Sequence, residues 1–122
     1  MTKTMSGGSA PRSKGVLLRF FTQENRRHGA LLDYEWLLEQ AKKLGIHGGT
    51  AYRGIAGYGR HGLLHEQHFF ELAGELPVQI VFVVSADEAQ RLLELLNHEQ
   101  LSLFYTLSET EFGVTTGPVL KP

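Results

Sequence analysis

Hydrophobic positions along the chain change period several times, and each change marks an element. Val16-Leu17-Leu18-Arg19-Phe20-Phe21 is β-branched and aromatic-rich, with apolar residues on both faces at a period of two. That pattern predicts a central strand covered on both sides. A polar, turn-like segment runs from Thr22 to Gly29. From Leu31 the period lengthens. Leu31, Tyr34, Leu38, Ala41 and Leu44 fall on one helical stripe, with Glu35, Glu39, Lys42 and Lys43 on other faces. Gly45 stands where a left-handed residue ends a helix. Thr50 to Ile55 suits a second strand.

Residues Gly54 to Gly74 extend neither period, and their glycines and histidines predict a long excursion between strands. Pro77 opens the most β-like run of the chain, Val78 to Val84. Ser85-Ala86-Asp87-Glu88 has the form of a capping box, in which Ser85 and Glu88 bond each other's amides. Ala89, Leu92, Leu93 and Leu96 then make the apolar stripe of a second helix ending near Asn97-His98. Leu101 to Leu107 supplies a fourth strand, with a further short one around Phe112 to Thr115. Residues 1–14 hold Gly7, Gly8 and Pro11 with few apolar side chains and read as a flexible tail. The folded domain is expected over 15–117, with a C-terminal tail over 118–122.

The order β-α-β-long loop-β-α-β predicts an α+β, ferredoxin-like βαββαβ fold, a four-stranded antiparallel sheet with two helices on one face. Strands one and three nevertheless carry large apolar residues toward both faces. The second face therefore needs a cover, and oligomerisation supplies one.

Composition narrows the chemistry. A formal charge of −1 gives no electrostatic reason for nucleic acid or an anionic membrane as a main partner. The absence of cysteine excludes thiolate catalysis, disulfides and cysteine-based zinc sites. No apolar run approaches the roughly 20 residues that span a bilayer, and no signal-like segment opens the chain. The expectation is a cytoplasmic protein without stable membrane insertion.

Two segments carry candidate chemistry. Glycines at 57, 59 and 62 permit positive φ and close approach of backbone amides to an anion, and Arg60 adds a charged donor among them. A hinge at the base of a loop explains the same glycines equally well. They follow a strand without opening a helix, so the dinucleotide fingerprint fails. His61, His65 and His68 have the spacing of one helical face and form a candidate divalent-metal set, whose bland reading is three solvated loop histidines. Asp33, Glu35 and Glu39 lie close together, yet as surface acids near Lys42 and Lys43 they need no catalytic role. Nothing places a nucleophile beside a base, and no enzymatic activity is expected. Trp36 and Tyr34 are expected in the core or an interface.

Gly48-Gly49-Thr50, a strand and Gly57-Tyr58-Gly59-Arg60-His61-Gly62 resemble the segment of PII signalling proteins that leads into their T-loop. Leu-Leu-Asp-Tyr (Leu31 to Tyr34), Gly-Ile-Ala-Gly-Tyr-Gly (Gly54 to Gly59) and Leu-Pro-Val (Leu76 to Val78) are more closely similar to the PII-like domain of unknown function 190. The resemblance covers about residues 16 to 107. It implies a homotrimer with clefts between subunits that hold a small ligand of the adenine-nucleotide type. It also implies a T-loop-like excursion over about Arg60 to Glu75 that signals to a regulatory partner protein. The ligand-binding segment would comprise Gly54, Gly57, Tyr58, Gly59, Arg60, His61 and Gly62. Two departures matter. Asn97-His98-Glu99-Gln100 stands where PII proteins carry a glycine-rich basic loop, and His61 stands where they carry a glutamine. Both point to a smaller or less charged ligand than a triphosphate. The trimeric CutA family is also similar and links the histidines to divalent cations as an alternative function.

Overall fold

The computed structural model describes residues 11–58, 64–66 and 76–117. The elements in chain order are β1 (Ser13–Gln23), β2 (Arg27–His28), β3 (Leu31–Leu32), α1 (Asp33–Lys43), β4 (Thr50–Arg53), β5 (Ala56–Tyr58), β6 (Leu64–Glu66), β7 (Pro77–Val84), α2 (Ala86–His98) and β8 (Phe104–Phe112). Strands β4, β7, β1 and β8 form an antiparallel sheet in that order, the ferredoxin-like arrangement, with both helices on one face.

The period-two pattern of β1 and β7 decides which side chains meet the helices. Val16, Leu18 and Phe20 from β1 and Val78, Ile80, Phe82 and Val84 from β7 are buried. They pack against Trp36, Leu37 and Ala41 of α1 and Ala89, Leu92 and Leu96 of α2. Phe20 and Phe82 meet edge to face with centroids 6.1 Å apart. Each fully buried side chain of this size contributes about 1.5–3 kcal/mol, so the core rests on the two central strands.

The stripe of α1 lies one residue away from its expected centre. Leu37 is fully buried, with Asp33 and Ala41 on the same line, while Tyr34, Leu38 and Leu44 flank the core. The helix also starts at Asp33, because Leu31–Leu32 pairs with Arg27–His28 in a small hairpin. Leu32 has no polar side chain to cap the helix, and Glu35 instead accepts the Leu32 amide at 3.1 Å.

Both helix ends follow from local chemistry. Gly45 has φ +86°, and the Ile46 and Gly45 amides donate to the Ala41 and Lys42 carbonyls at 3.0 Å each, a Schellman turn. At α2 the Ser85–Glu88 capping box makes both its bonds, at 3.0 and 2.9 Å. The same helix ends in a second Schellman turn, with Gln100 at φ 59° in the glycine position and the Leu101 amide on the Leu96 carbonyl at 3.0 Å.

That turn corrects the fourth strand. Leu101 is buried closing the helix end, so the strand starts at Phe104 and runs unbroken to Phe112, merging the two strands expected at 101–107 and 112–115. The longer β8 pairs as far as Ser13, which extends β1 back beyond Val16.

The sheet face away from the helices carries Leu17, Phe21, Val81, Val83, Tyr52 and Phe104, with Val83 47% and Phe104 49% exposed in the single chain. The two-faced strands seen in the sequence therefore leave one apolar face open.

Candidate functional site

The excursion after β4 begins as regular structure, which the sequence pattern did not predict. Ala56, Gly57 and Tyr58 pair with Glu66, His65 and Leu64 in an antiparallel hairpin. Its base is tied to the sheet. The Gly54 amide donates to the Pro77 carbonyl at 2.7 Å, Arg53 pairs with Glu24 at 2.7 Å, and the Glu24 amide donates to the Leu76 carbonyl at 2.8 Å.

Gly54 and Gly57 have separate structural reasons, and neither is the left-handed conformation expected of a nest. A Cβ on Gly54 would meet Pro77 Cγ at 2.9 Å, so this glycine lets the chain pass close against the Pro77 ring. Gly57 sits in a strand, and the positive φ angles of the described glycines fall at Gly29, Gly45 and Gly117 instead. Gly59, Arg60, His61 and Gly62 lie outside the described residues. So do two of the three candidate metal ligands, His61 and His68, while His65 takes its place in β6 opposite Gly57. Among the described residues no three potential ligands gather for a metal.

The hairpin base forms one wall of an open cleft of about 1210 Å³. The end of β1 from Phe20 to Gln23 and Pro77 line its floor, and the last turns of α2 with residues 101–105 form the opposite wall. Tyr58, 73% exposed, stands at its edge. The lining is largely apolar and aromatic, with Thr22, Gln23, Asn97 and Ser102 as neutral polar groups and Arg26 as the one charged side chain among the described residues.

Behind Arg26 lies a group that sequence reasoning placed on the surface. Asp33 is fully buried at the start of α1. The Thr22 hydroxyl donates to its Oδ2 at 3.0 Å, Arg26 Nε approaches the same oxygen at 3.6 Å, and the Asp33 amide donates to the Arg26 carbonyl at 2.7 Å. Its Oδ1 has no hydrogen-bond partner among the described residues. A buried carboxylate is tolerated where a cation and the positive end of a helix oppose it, and Asp33 has both. Its signal in the sequence was an acid directly after Leu31-Leu32 in a run, Leu31 to Leu37, that only Asp33 and Glu35 interrupt.

With this geometry in place, the comparisons with known proteins are specific. Residues 15–111 match the model of the DUF190 family, described as "Uncharacterized ACR". A UPF0166 protein of Aquifex aeolicus is 35% identical over 98 residues, covering 80% of this chain and 92% of that protein. Among solved structures, CPII from Thiomonas intermedia K12 bound to ADP and bicarbonate superposes with a TM-score of 0.62 at 20% identity, over 87% of this chain and 95% of that one. The same protein, described as a nitrogen regulatory PII-like protein and bound to ADP, AMP and bicarbonate, gives 0.65 at 18% identity, over 87% and 94%. The chain belongs to the DUF190 family and has the PII-like fold. Among the described residues, no helix is long and apolar enough to cross a membrane.

Proposed function

We propose that this DUF190 member is a cytoplasmic, non-enzymatic, PII-like regulatory protein that binds an adenine nucleotide in the cleft beside the β5–β6 hairpin and reports it to a partner protein through the 60–75 loop. The observation that carries the reading is the position of the cleft. Its wall is the base of the loop itself, Ala56 to Tyr58, so a ligand there bears directly on the hairpin from which the loop springs. That is a local contact biasing a segment between states, rather than a reaction.

The open apolar sheet face supports a homotrimer in which subunits cover one another's Leu17, Val81 and Val83, with the clefts between neighbours. CPII, similar in fold, has been solved with ADP and AMP, which makes adenine nucleotides the first ligands to try. The end of α2, Asn97-His98-Glu99-Gln100, carries no Lys or Arg, which favours mono- and diphosphates over triphosphates.

The test is a titration of the uniformly labelled protein with AMP, ADP and ATP, followed by amide NMR, with native mass spectrometry for assembly. The reading expects a trimer and shifts at Ala56 to Tyr58 and at Ser102 to Tyr105. Amides unmoved by every adenine nucleotide would sink it.

A further inference from the structure

We infer that Arg26 is the anion-binding residue of the cleft, held in position by the buried Asp33 carboxylate, so that the cleft selects a ligand joining a flat apolar ring to one phosphate. The inference rests on the nucleotide reading above for the ring and goes beyond it in assigning the phosphate contact to a residue outside the glycine-rich segment.

The cleft's composition sets the ligand class. Tyr58, Phe104 and Tyr105 offer exposed aromatic surface, which suits a planar base. Among the described residues a single guanidinium lines the cleft, and one guanidinium suits one anionic group.

The geometry then fixes what Arg26 has to offer. Its Nε faces Asp33 Oδ2 at 3.6 Å, and the two terminal nitrogens have no partner among the described residues. The side chain is 47% exposed, whereas that of Asp33 is 0% exposed. One edge of the guanidinium is thus anchored to a carboxylate that the Thr22 hydroxyl also holds, on a residue whose backbone amide is fixed by the Arg26 carbonyl. The other edge is left as a fork of donors, the form that matches two phosphate oxygens. Anchoring limits the rotamers lost on binding, which is what a positioning carboxylate contributes. Asp33 is therefore a positioning residue and Arg26 a ligand contact.

Removing Arg26 alone strips a buried carboxylate of its cation, and the fold would suffer for that reason. The experiment therefore compares Arg26→Gln with the double variant Arg26→Gln/Asp33→Asn, in which the buried charge is gone as well. Calorimetric titration with AMP and with adenosine gives the ratio of the two affinities. The wild type is expected to prefer AMP by about 10- to 100-fold, the range of a charge-assisted hydrogen-bond pair. The preference is expected to collapse in both variants, and the double variant is expected to bind adenosine as before. A preference retained in the double variant, or a wild type that binds AMP and adenosine equally, overturns the assignment.

A second readout separates this assignment from the nucleotide reading. The Nε resonance of Arg26 is followed as inorganic phosphate is added to the wild type. If neither AMP nor adenosine binds and phosphate still moves Nε, the nucleotide reading fails and Arg26 stands as an anion contact. If neither phosphate nor AMP moves Nε, the assignment falls.

Discussion

Gln100 adopts a backbone conformation that its side chain opposes, and replacing it with glycine should stabilise the protein. At φ 59° it occupies the left-handed position of the Schellman turn that ends α2. There an L-residue costs roughly 1–2 kcal/mol, because Cβ crowds the following carbonyl. Glycine removes that cost, while the freer unfolded chain gives back roughly 0.5–1 kcal/mol. The side chain is exposed and makes no hydrogen bond among the described residues, so no contact is forfeited. The net gain for Gln100→Gly is about 0.5–1 kcal/mol, or a rise in Tm of about 2–8 °C for a domain of this size. Gly45→Ala is the reciprocal. Nothing lies within 4 Å of the position its Cβ would take, so the φ of +86° is the whole cost, and a loss of about 1 kcal/mol is expected. Urea unfolding at one fixed protein concentration measures both, since assembly would otherwise shift the midpoint. A Gln100→Gly variant no more stable than wild type would refute the reasoning, provided Gly45→Ala loses stability in the same assay.

Three further outcomes are expected. Thr22→Val removes the hydroxyl that donates to Asp33 at 3.0 Å while keeping its shape, and should cost about 1–3 kcal/mol in urea unfolding; a neutral result would mean that Arg26 alone satisfies the carboxylate. Gly49→Ala drives a Cβ into the Phe82 ring and to 3.0 Å from Leu38 Cδ2, so it should destabilise by about 1–3 kcal/mol even though residue 49 is at the surface. Val83→Glu places a charge on the open sheet face and, in the proposed trimer, should weaken self-association by at least about tenfold by light scattering, with the single-chain fold retained; unchanged assembly would refute this face as the trimer interface.

What the sequence disclosed, and what it hid, divides along the source of each element's stability. β1, β7 and both helices owe their place to buried apolar side chains, and a period of two or of 3.6 is the direct trace of that burial. Capping at Ser85 and the turn at Gly45 were equally legible, because each depends on one local residue type. β8 was not. Its later half, Ser108-Glu109-Thr110-Glu111, buries almost nothing, and it is held by ladder bonds to β1 that leave no hydrophobic signature. Its start was hidden by Leu101, whose burial serves the end of α2 rather than a strand. The β5–β6 hairpin was hidden for the same reason, since backbone pairing opposite Gly57 needs no pattern at all.

The site followed the same rule with a sharper consequence. Glycines drew attention to residues 54–62, and the structure does place Ala56 to Tyr58 on the cleft, but for strand pairing rather than for a left-handed nest. Asp33, by contrast, read as an ordinary surface acid, and Arg26 as part of the polar, turn-like segment from Thr22 to Gly29. Only the hairpin of β2 and β3 turns the chain so that residue 26 lies against the start of α1 and the carboxylate is sealed beneath it. A carboxylate is costly to bury, and this one is sealed behind the cleft-lining Arg26 with one oxygen that has no partner among the described residues. Were its role structural alone, an apolar residue of similar size would fill the same space at no loss. The retained charge therefore has its natural explanation in the guanidinium it orients, which makes the Arg26–Asp33 pair, and not the glycines, the most informative chemistry of the cleft.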